Sequence, residues 1–374
     1  MNIIDLKIEA NIPNWWDKSF DYNEDLEKIK AIGDKIGLDH EFLILIGNGG
    51  SITSSIACGI CQKIDSFVVD SPDPAFLRKI KSQCLKEKTL VLAISKSGNT
   101  VGVIESLLYF ADYKTVVVTD NQESLLEQMA EKNNWQIIDH PKIEGRFSGN
   151  TIVQYLKSYL CGVDINKIKI GFKTGYKNRD PAYSLAKFYF DKEKKGYNEV
   201  YISCYPWLLN GFRNLIIQLM HESVCKDGKG QTFYFSEAPE CQHHTNQRFL
   251  GGKKNVIGTF IKANKFFDDR KIEAPENLKD ISARGLKLDD LAKLTYQQAL
   301  NLEYTGTKME ADRLEIPNVT IEIEEVTNYS VGELIAFWQL VAFYSAKLRG
   351  VDPDNQPAVE NSKKITIEEM KKIK

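Results

Sequence analysis

Phe42-Leu43-Ile44-Leu45-Ile46-Gly47-Asn48-Gly49-Gly50-Ser51 runs an apolar strand straight into a small, glycine-rich turn. Leu90-Val91-Leu92-Ala93-Ile94-Ser95-Lys96-Ser97-Gly98-Asn99-Thr100 does the same. Each turn leads into a predicted helix. Continuous apolar runs are the mark of strands buried on both faces of a parallel sheet. The two turns are therefore expected side by side at the C-terminal edge of one such sheet. They offer backbone N–H groups, the hydroxyls of Ser51, Ser95, Ser97 and Thr100, and the ammonium of Lys96. Donors gathered at helix starts and backed by hydroxyls make a cradle for a phosphate.

Strands are expected at 42–46, 66–69, 90–94, 115–119 and 136–138, and helices at 51–63, 74–84, 100–111 and 122–133. Such alternation predicts a doubly wound αβα sandwich. Asp120-Asn121 reads as a strand-to-helix turn with a capping acid. Pro141, Gly145 and Gly149 then break the pattern before a helix at 151–162. The second half repeats the logic, with strands at 198–204, 231–235, 256–261 and 318–324 and helices at 208–222, 288–303, 331–348 and 366–373. The long apolar helix 331–348 is expected in a core between two domains. The expected division is 40–150, then 151–350 with 1–39 wrapped back on it, then a C-terminal segment 351–374.

A chain of 374 residues suits two domains. Hydrophobic residues at 43% and charged residues at 27% are ordinary globular values. A net charge of −2 argues against nucleic acid as a partner. The lysines at 192–195 and in 363–374 read as solvated surface, since acids are interspersed. Neither a secretory leader nor an apolar run of membrane-spanning length is evident, so a cytoplasmic protein that binds no membrane is expected. Seven cysteines without a tight framework fit a reducing compartment. Cys58 and Cys61 form a CxxC, but no second pair provides zinc ligands, and both read as small apolar packing groups.

Gly47-Asn48-Gly49-Gly50 is not a Walker A loop, because no Gly-Lys-Ser/Thr follows. Nor is it a dinucleotide fingerprint, because Ile52 stands at the third glycine position. The pairing of a GxGGS turn with a later SKSGxT turn resembles sugar isomerase domains, which bind phosphosugars. Four further stretches, in chain order, narrow the resemblance to the phosphoglucose isomerase (glucose-6-phosphate isomerase) family. The first is Glu144-Gly145-Arg146-Phe147-Ser148, where the family has GGR, an aromatic and Ser, so Glu144 replaces a glycine. The second is Gln218-Leu219-Met220-His221-Glu222-Ser223, matching QLxxES. Glu222 would close an apolar helix near the negative end of its dipole, and with partial burial that favours proton uptake. The third is Gln242-His243-His244-Thr245-Asn246-Gln247. His243 takes the family position, His244 falls where the family has serine, and either imidazole could serve. The fourth is Asn355-Gln356-Pro357-Ala358-Val359-Glu360-Asn361-Ser362-Lys363, against DQxGVExxK. Gly102 stands where many members carry a glutamate, and Glu105 lies one turn further on.

The resemblance implies interconversion of glucose 6-phosphate and fructose 6-phosphate through a cis-enediol, with no metal or other cofactor. It implies Glu222 as the proton shuttle, Arg146 as the cation for the enediolate, and His243 and Lys363 in ring opening. Ser51, Ser95, Lys96, Ser97 and Thr100 would hold the phosphate, and Gly49, Gly50, Gly145 and Gln356 the rest of the sugar. It also implies a homodimer in which the neighbouring subunit supplies the histidine. Two other readings fit: an isomerase that also takes mannose 6-phosphate, and a phosphosugar-binding regulator without catalysis. Regulators normally carry a DNA-binding module, and residues 1–40 are too short and too acidic for one.

Overall fold

The computed structural model describes residues 1–59, 62–120 and 123–373. Among the described residues there are twelve strands: β1 (Asn2–Ile4), β2 (Phe42–Gly47), β3 (Asp65–Val69), β4 (Thr89–Ile94), β5 (Lys114–Thr119), β6 (Gln136–Asp139), β7 (Glu199–Cys204), β8 (Thr232–Glu237), β9 (Val256–Lys265), β10 (Ser282–Ala283), β11 (Leu286–Lys287) and β12 (Asn318–Glu325). The first sheet has the order β3-β2-β4-β5-β6 and is parallel throughout. The second has the order β1-β12-β9-β7-β8 and is parallel except for β1. A small β10–β11 hairpin stands apart.

The first sheet changes winding direction between β2 and β4, which pair directly in the register Phe42↔Thr89 to Gly47↔Ile94. The two glycine-rich turns thus leave adjacent strand ends at a topological switch point, where doubly wound sheets form their binding crevice.

One apolar cluster takes in Leu43 and Leu45 of the first sheet, Val200 and Ile202 of the second, and the helices Ile152–Leu160 and Asn328–Arg349. Helix Asn328–Arg349 is buried along nearly its whole length. It lies against the helices Ile165–Lys177, Asp180–Glu193 and Phe212–Val224. Its crossing with Ile165–Lys177 needs glycine on both sides: a Cβ on Gly171 would fall 1.9 Å from the Tyr329 carbonyl oxygen, and one on Gly332 would fall 2.1 Å from that of Ile168. The N-terminal segment divides. β1 pairs antiparallel with β12 of the second sheet, whereas the helix Leu26–Ile36 packs on Ile152–Leu160.

Several element limits differ from the sequence reading. The helix expected at 51–63 is a 3-10 turn, Gly49–Ser51, and a short helix, Thr53–Ala57; Cys61 of the CxxC lies outside the described residues. The helix expected from 122 is Leu125–Asn133. Its cap is Ser124, whose hydroxyl accepts from the Glu127 N–H, and not Asp120; Asn121 and Gln122 lie outside the described residues. The helix expected at 288–303 is two, Leu288–Leu291 and Tyr296–Arg313. The last helix starts at Glu360 rather than 366. The helices at Ile165–Lys177 and Asp180–Glu193 were not anticipated.

Candidate active site

The cleft at the C-terminal ends of β2 and β4 has a volume of about 1150 Å³. Both turns line it, and so do Glu144, Gly145, Arg146, Glu222, Gln356 and Lys363. Residues scattered from 48 to 367 therefore meet at one place.

The second turn is an open set of donors. The backbone N–H groups of Lys96, Ser97 and Thr100 have no protein acceptor among the described residues. Thr100 begins the helix Val101–Tyr109 without a side-chain cap, because its hydroxyl pairs with that of Ser95 at 3.0 Å. Ser97 and Thr100 face the cleft, while Ser95 is 2% exposed and lies behind Thr100. Unpaired N–H groups at a helix start attract an anion.

The first turn is locked to the segment that carries Arg146. A Cβ on Gly50 would lie 2.3 Å from both the Arg146 nitrogen and the Gly145 carbonyl carbon, so only glycine allows this contact. The Ser148 hydroxyl donates to the Gly50 carbonyl at 3.2 Å and strengthens the lock.

Arg146 is 2% exposed, and its guanidinium is held on every side. Nε donates to the Ser223 hydroxyl at 3.0 Å and to the Pro353 carbonyl at 3.2 Å. Nη2 donates to the carbonyls of Pro353 at 2.5 Å and Asn355 at 3.3 Å. Nη1 reaches Gln356 Oε1 at 2.7 Å and Glu222 Oε2 at 3.3 Å. A buried cation is tolerated only when paired and bonded in this way. The result is a fixed positive charge beside a carboxylate.

Glu222 sits in the last turns of the helix Phe212–Val224. Its Oε2 also accepts from Gln218 Nε2 at 3.1 Å, one helical turn away, and Gln218 Oε1 accepts in turn from the Thr53 hydroxyl at 3.0 Å. Oε1 of Glu222 has no protein donor among the described residues, so one oxygen is anchored and the other is open to the cleft. Behind the site, Lys226 donates to the carbonyls of Ser223 and Asp352; burial and the nearby Arg146 pull its pKa below the usual lysine range.

Lys363 lies on the exposed helix Glu360–Lys372, pairs with Glu360 at 2.9 Å and is one of the residues that line the cleft. His243 and His244 do not join the cleft of the same chain. His243 ends the short 3-10 turn Glu240–His243 and is exposed. His244 is engaged by Glu240 and Thr245, each at 2.5 Å. Glu105 is likewise absent from the cleft wall. The sequence reading missed Gln218 and the Pro353 and Asn355 carbonyls. The spacing of four residues between Gln218 and Glu222 was the available sign of the first; backbone carbonyls leave no trace in a sequence.

A 30% identical relative decides the kinship. The glucose-6-phosphate isomerase of Methanocaldococcus jannaschii matches over 367 residues, covering 92% of this chain and 86% of that protein. The chain belongs to the glucose-6-phosphate isomerase family. A probable glucose-6-phosphate isomerase of Methanococcus maripaludis is 29% identical over 371 residues, covering 92% of this chain and 82% of that protein. A scan against models of known protein families gives no match. Among solved structures, a hypothetical protein from Thermus thermophilus superposes with a TM-score of 0.82 at 22% identity, covering 92% of this chain and 87% of that one. A glucose-6-phosphate isomerase from Chlamydia trachomatis gives 0.76 at 18%, covering 92% and 72%. These likenesses agree on an α/β fold with mainly parallel sheets. No helix among the described residues is long and apolar enough to cross a membrane.

Proposed function

We propose that this member of the family interconverts glucose 6-phosphate and fructose 6-phosphate by moving a proton between C1 and C2 through a cis-enediol(ate). The observation that carries the reading is the pairing, in one cleft, of open anion-binding turns with a buried arginine that touches a half-anchored glutamate.

Ser51, Lys96, Ser97 and Thr100 grip the phosphate, and binding energy from this remote group holds the open-chain sugar in reactive register. The free Oε1 of Glu222 takes the proton from one carbon and returns it to the other, while Gln218 and Arg146 keep Oε2 still. The Arg146 guanidinium, held beside Glu222, supplies fixed positive charge near the oxygen on which negative charge develops. A preorganised donor of this kind contributes about 3–4 kcal/mol to an oxyanion-like transition state. Lys363 and His243 serve ring opening. Because the histidine pair lies away from its own cleft, His243 acts in a neighbouring subunit's cleft, and the working form is a homodimer. The route requires no metal ion, and it places the protein in glycolysis and gluconeogenesis in the cytoplasm.

The test is a coupled assay that follows glucose 6-phosphate formed from fructose 6-phosphate, with the chain purified in the presence of a chelator. Turnover that survives chelation supports the reading; absence of conversion in either direction refutes it.

A further inference from the structure

Four charges of alternating sign cross the floor of the cleft. Lys96 Nζ lies 3.0 Å from Glu144 Oε1, Glu144 Oε2 lies 4.0 Å from Arg146 Nη1, and Arg146 Nη1 lies 3.3 Å from Glu222 Oε2. Glu144 is the member that the family resemblance does not supply, since a glycine is expected at its position. It is not a stray surface acid: its side chain is 30% exposed, and its backbone is fixed by the Gly50–Gly145 contact. Arg146 already commits Nη1 to shorter bonds with Gln356 and Glu222, so Lys96 is the principal partner of Glu144.

Lys96 is the only ammonium on the two phosphate turns. An incoming phosphate dianion and the Glu144 carboxylate therefore compete for the same cation. The wider cleft has no charge surplus to offset this, because its four lysine and arginine side chains are matched by four carboxylates.

We propose that Glu144 is a positioning residue that occupies Lys96 in the empty site, weakens the grip on the phosphate and so sets the affinity for phosphorylated substrate. The proposal rests on the reading of the turns as a phosphate cradle, but its test needs no turnover. Displacing Glu144 from Lys96 is part of every binding event, and the same carboxylate is on hand to reclaim the ammonium when the phosphate leaves. A partly exposed ion pair of this kind is weak enough to be displaced and strong enough to matter.

The experiment titrates the full chain with inorganic phosphate by calorimetry at low ionic strength, in the wild type, Glu144→Gln and Glu144→Gly. Both variants are expected to bind phosphate about three- to tenfold more tightly, from loss of one competing charge in a half-exposed site. The gain should shrink with added salt. In a Lys96→Ala background, Glu144→Gln should change the affinity by less than about twofold, because its effect runs through the missing lysine. Steady-state kinetics on fructose 6-phosphate should show KM falling in Glu144→Gln by more than kcat changes. Unchanged or weakened phosphate binding in both variants, binding by none of the proteins, or a gain of equal size without Lys96 would each overturn the proposal. A wild type that binds phosphate but does not isomerise hexose phosphates would refute the proposed function and leave this inference standing.

Discussion

Arg146→Lys keeps the positive charge and removes the fork. The guanidinium makes six hydrogen bonds, to Ser223, Pro353 twice, Asn355, Gln356 and Glu222. An ammonium has three donors from a single point, so at least half of these contacts are lost. The Ser223 hydroxyl and the Pro353 carbonyl belong to buried residues, and each costs about 1–3 kcal/mol when unpaired. Water will reach some of the vacated space, which brings the expected loss of stability to roughly 2–4 kcal/mol. The catalytic loss is separate. On the proposed route the guanidinium fixes both Glu222 Oε2 and the charge beside the enediolate, so kcat should fall about 10²–10³-fold, the range for losing one oxyanion contact. KM for fructose 6-phosphate should change much less, because the two glycine-rich turns, which hold the phosphate in the proposed function, are untouched. The assays are coupled steady-state kinetics and denaturant unfolding on the same preparation. A kcat within about threefold of the wild type would refute the assignment of Arg146, whatever happened to stability.

Ser97→Ala with Thr100→Ala should raise KM and the inhibition constant of inorganic phosphate together while sparing kcat; a specific loss of kcat would count against the cradle. Glu193→Ala should destabilise the chain by about 3–5 kcal/mol, because it strands the buried guanidinium of Arg349, which Glu193 bonds at Nε (2.6 Å) and also contacts at Nη2; unfolding midpoints check this, and a loss below about 1 kcal/mol would contradict it. Acid should weaken the fold through its histidines. His221 Nε2 accepts from the Phe233 N–H at 2.9 Å, which requires the neutral ring, and burial holds its pKa below the usual histidine range. Burial does the same to His140, whose Nδ1 bonds the Pro141 carbonyl at 2.7 Å. Their folded-state pKa values are depressed, so the stabilisation is complete above the unfolded value near about 6.5 and is lost as pH falls through the folded values. The denaturation midpoint should therefore drop between about pH 7 and pH 5, and by less in His221→Gln; equal pH profiles would remove His221 as a cause.

The first sheet was legible because strands buried on both faces are written as unbroken apolar runs, and glycine turns mark where each ends. The helix Ile165–Lys177 was not, because Ile168-Lys169-Ile170 alternates like a strand and Gly171 and Gly175 weaken helix propensity. Those glycines are explained only by the partner helix that presses on them. In the site, the two glycine-rich turns could be read because each is contiguous in sequence. The bond from Arg146 to Glu222 spans 76 positions, and that from Arg146 to Gln356 spans 210. Such pairings depend on how the two sheets come together, and only the ordered set of short matches pointed to them. Glu144 looked like a blemish in a motif, and its place between two cations emerged only from side-chain geometry.

On the proposed route one carboxylate moves one hydrogen between neighbouring carbons. In deuterated water, the wild type should exchange the C2 hydrogen of glucose 6-phosphate for deuterium while forming fructose 6-phosphate. Glu222→Gln should still bind the sugar phosphate but lose exchange and isomerisation together, by about 10²–10⁴-fold or more. Exchange at the wild-type rate in Glu222→Gln would contradict the account.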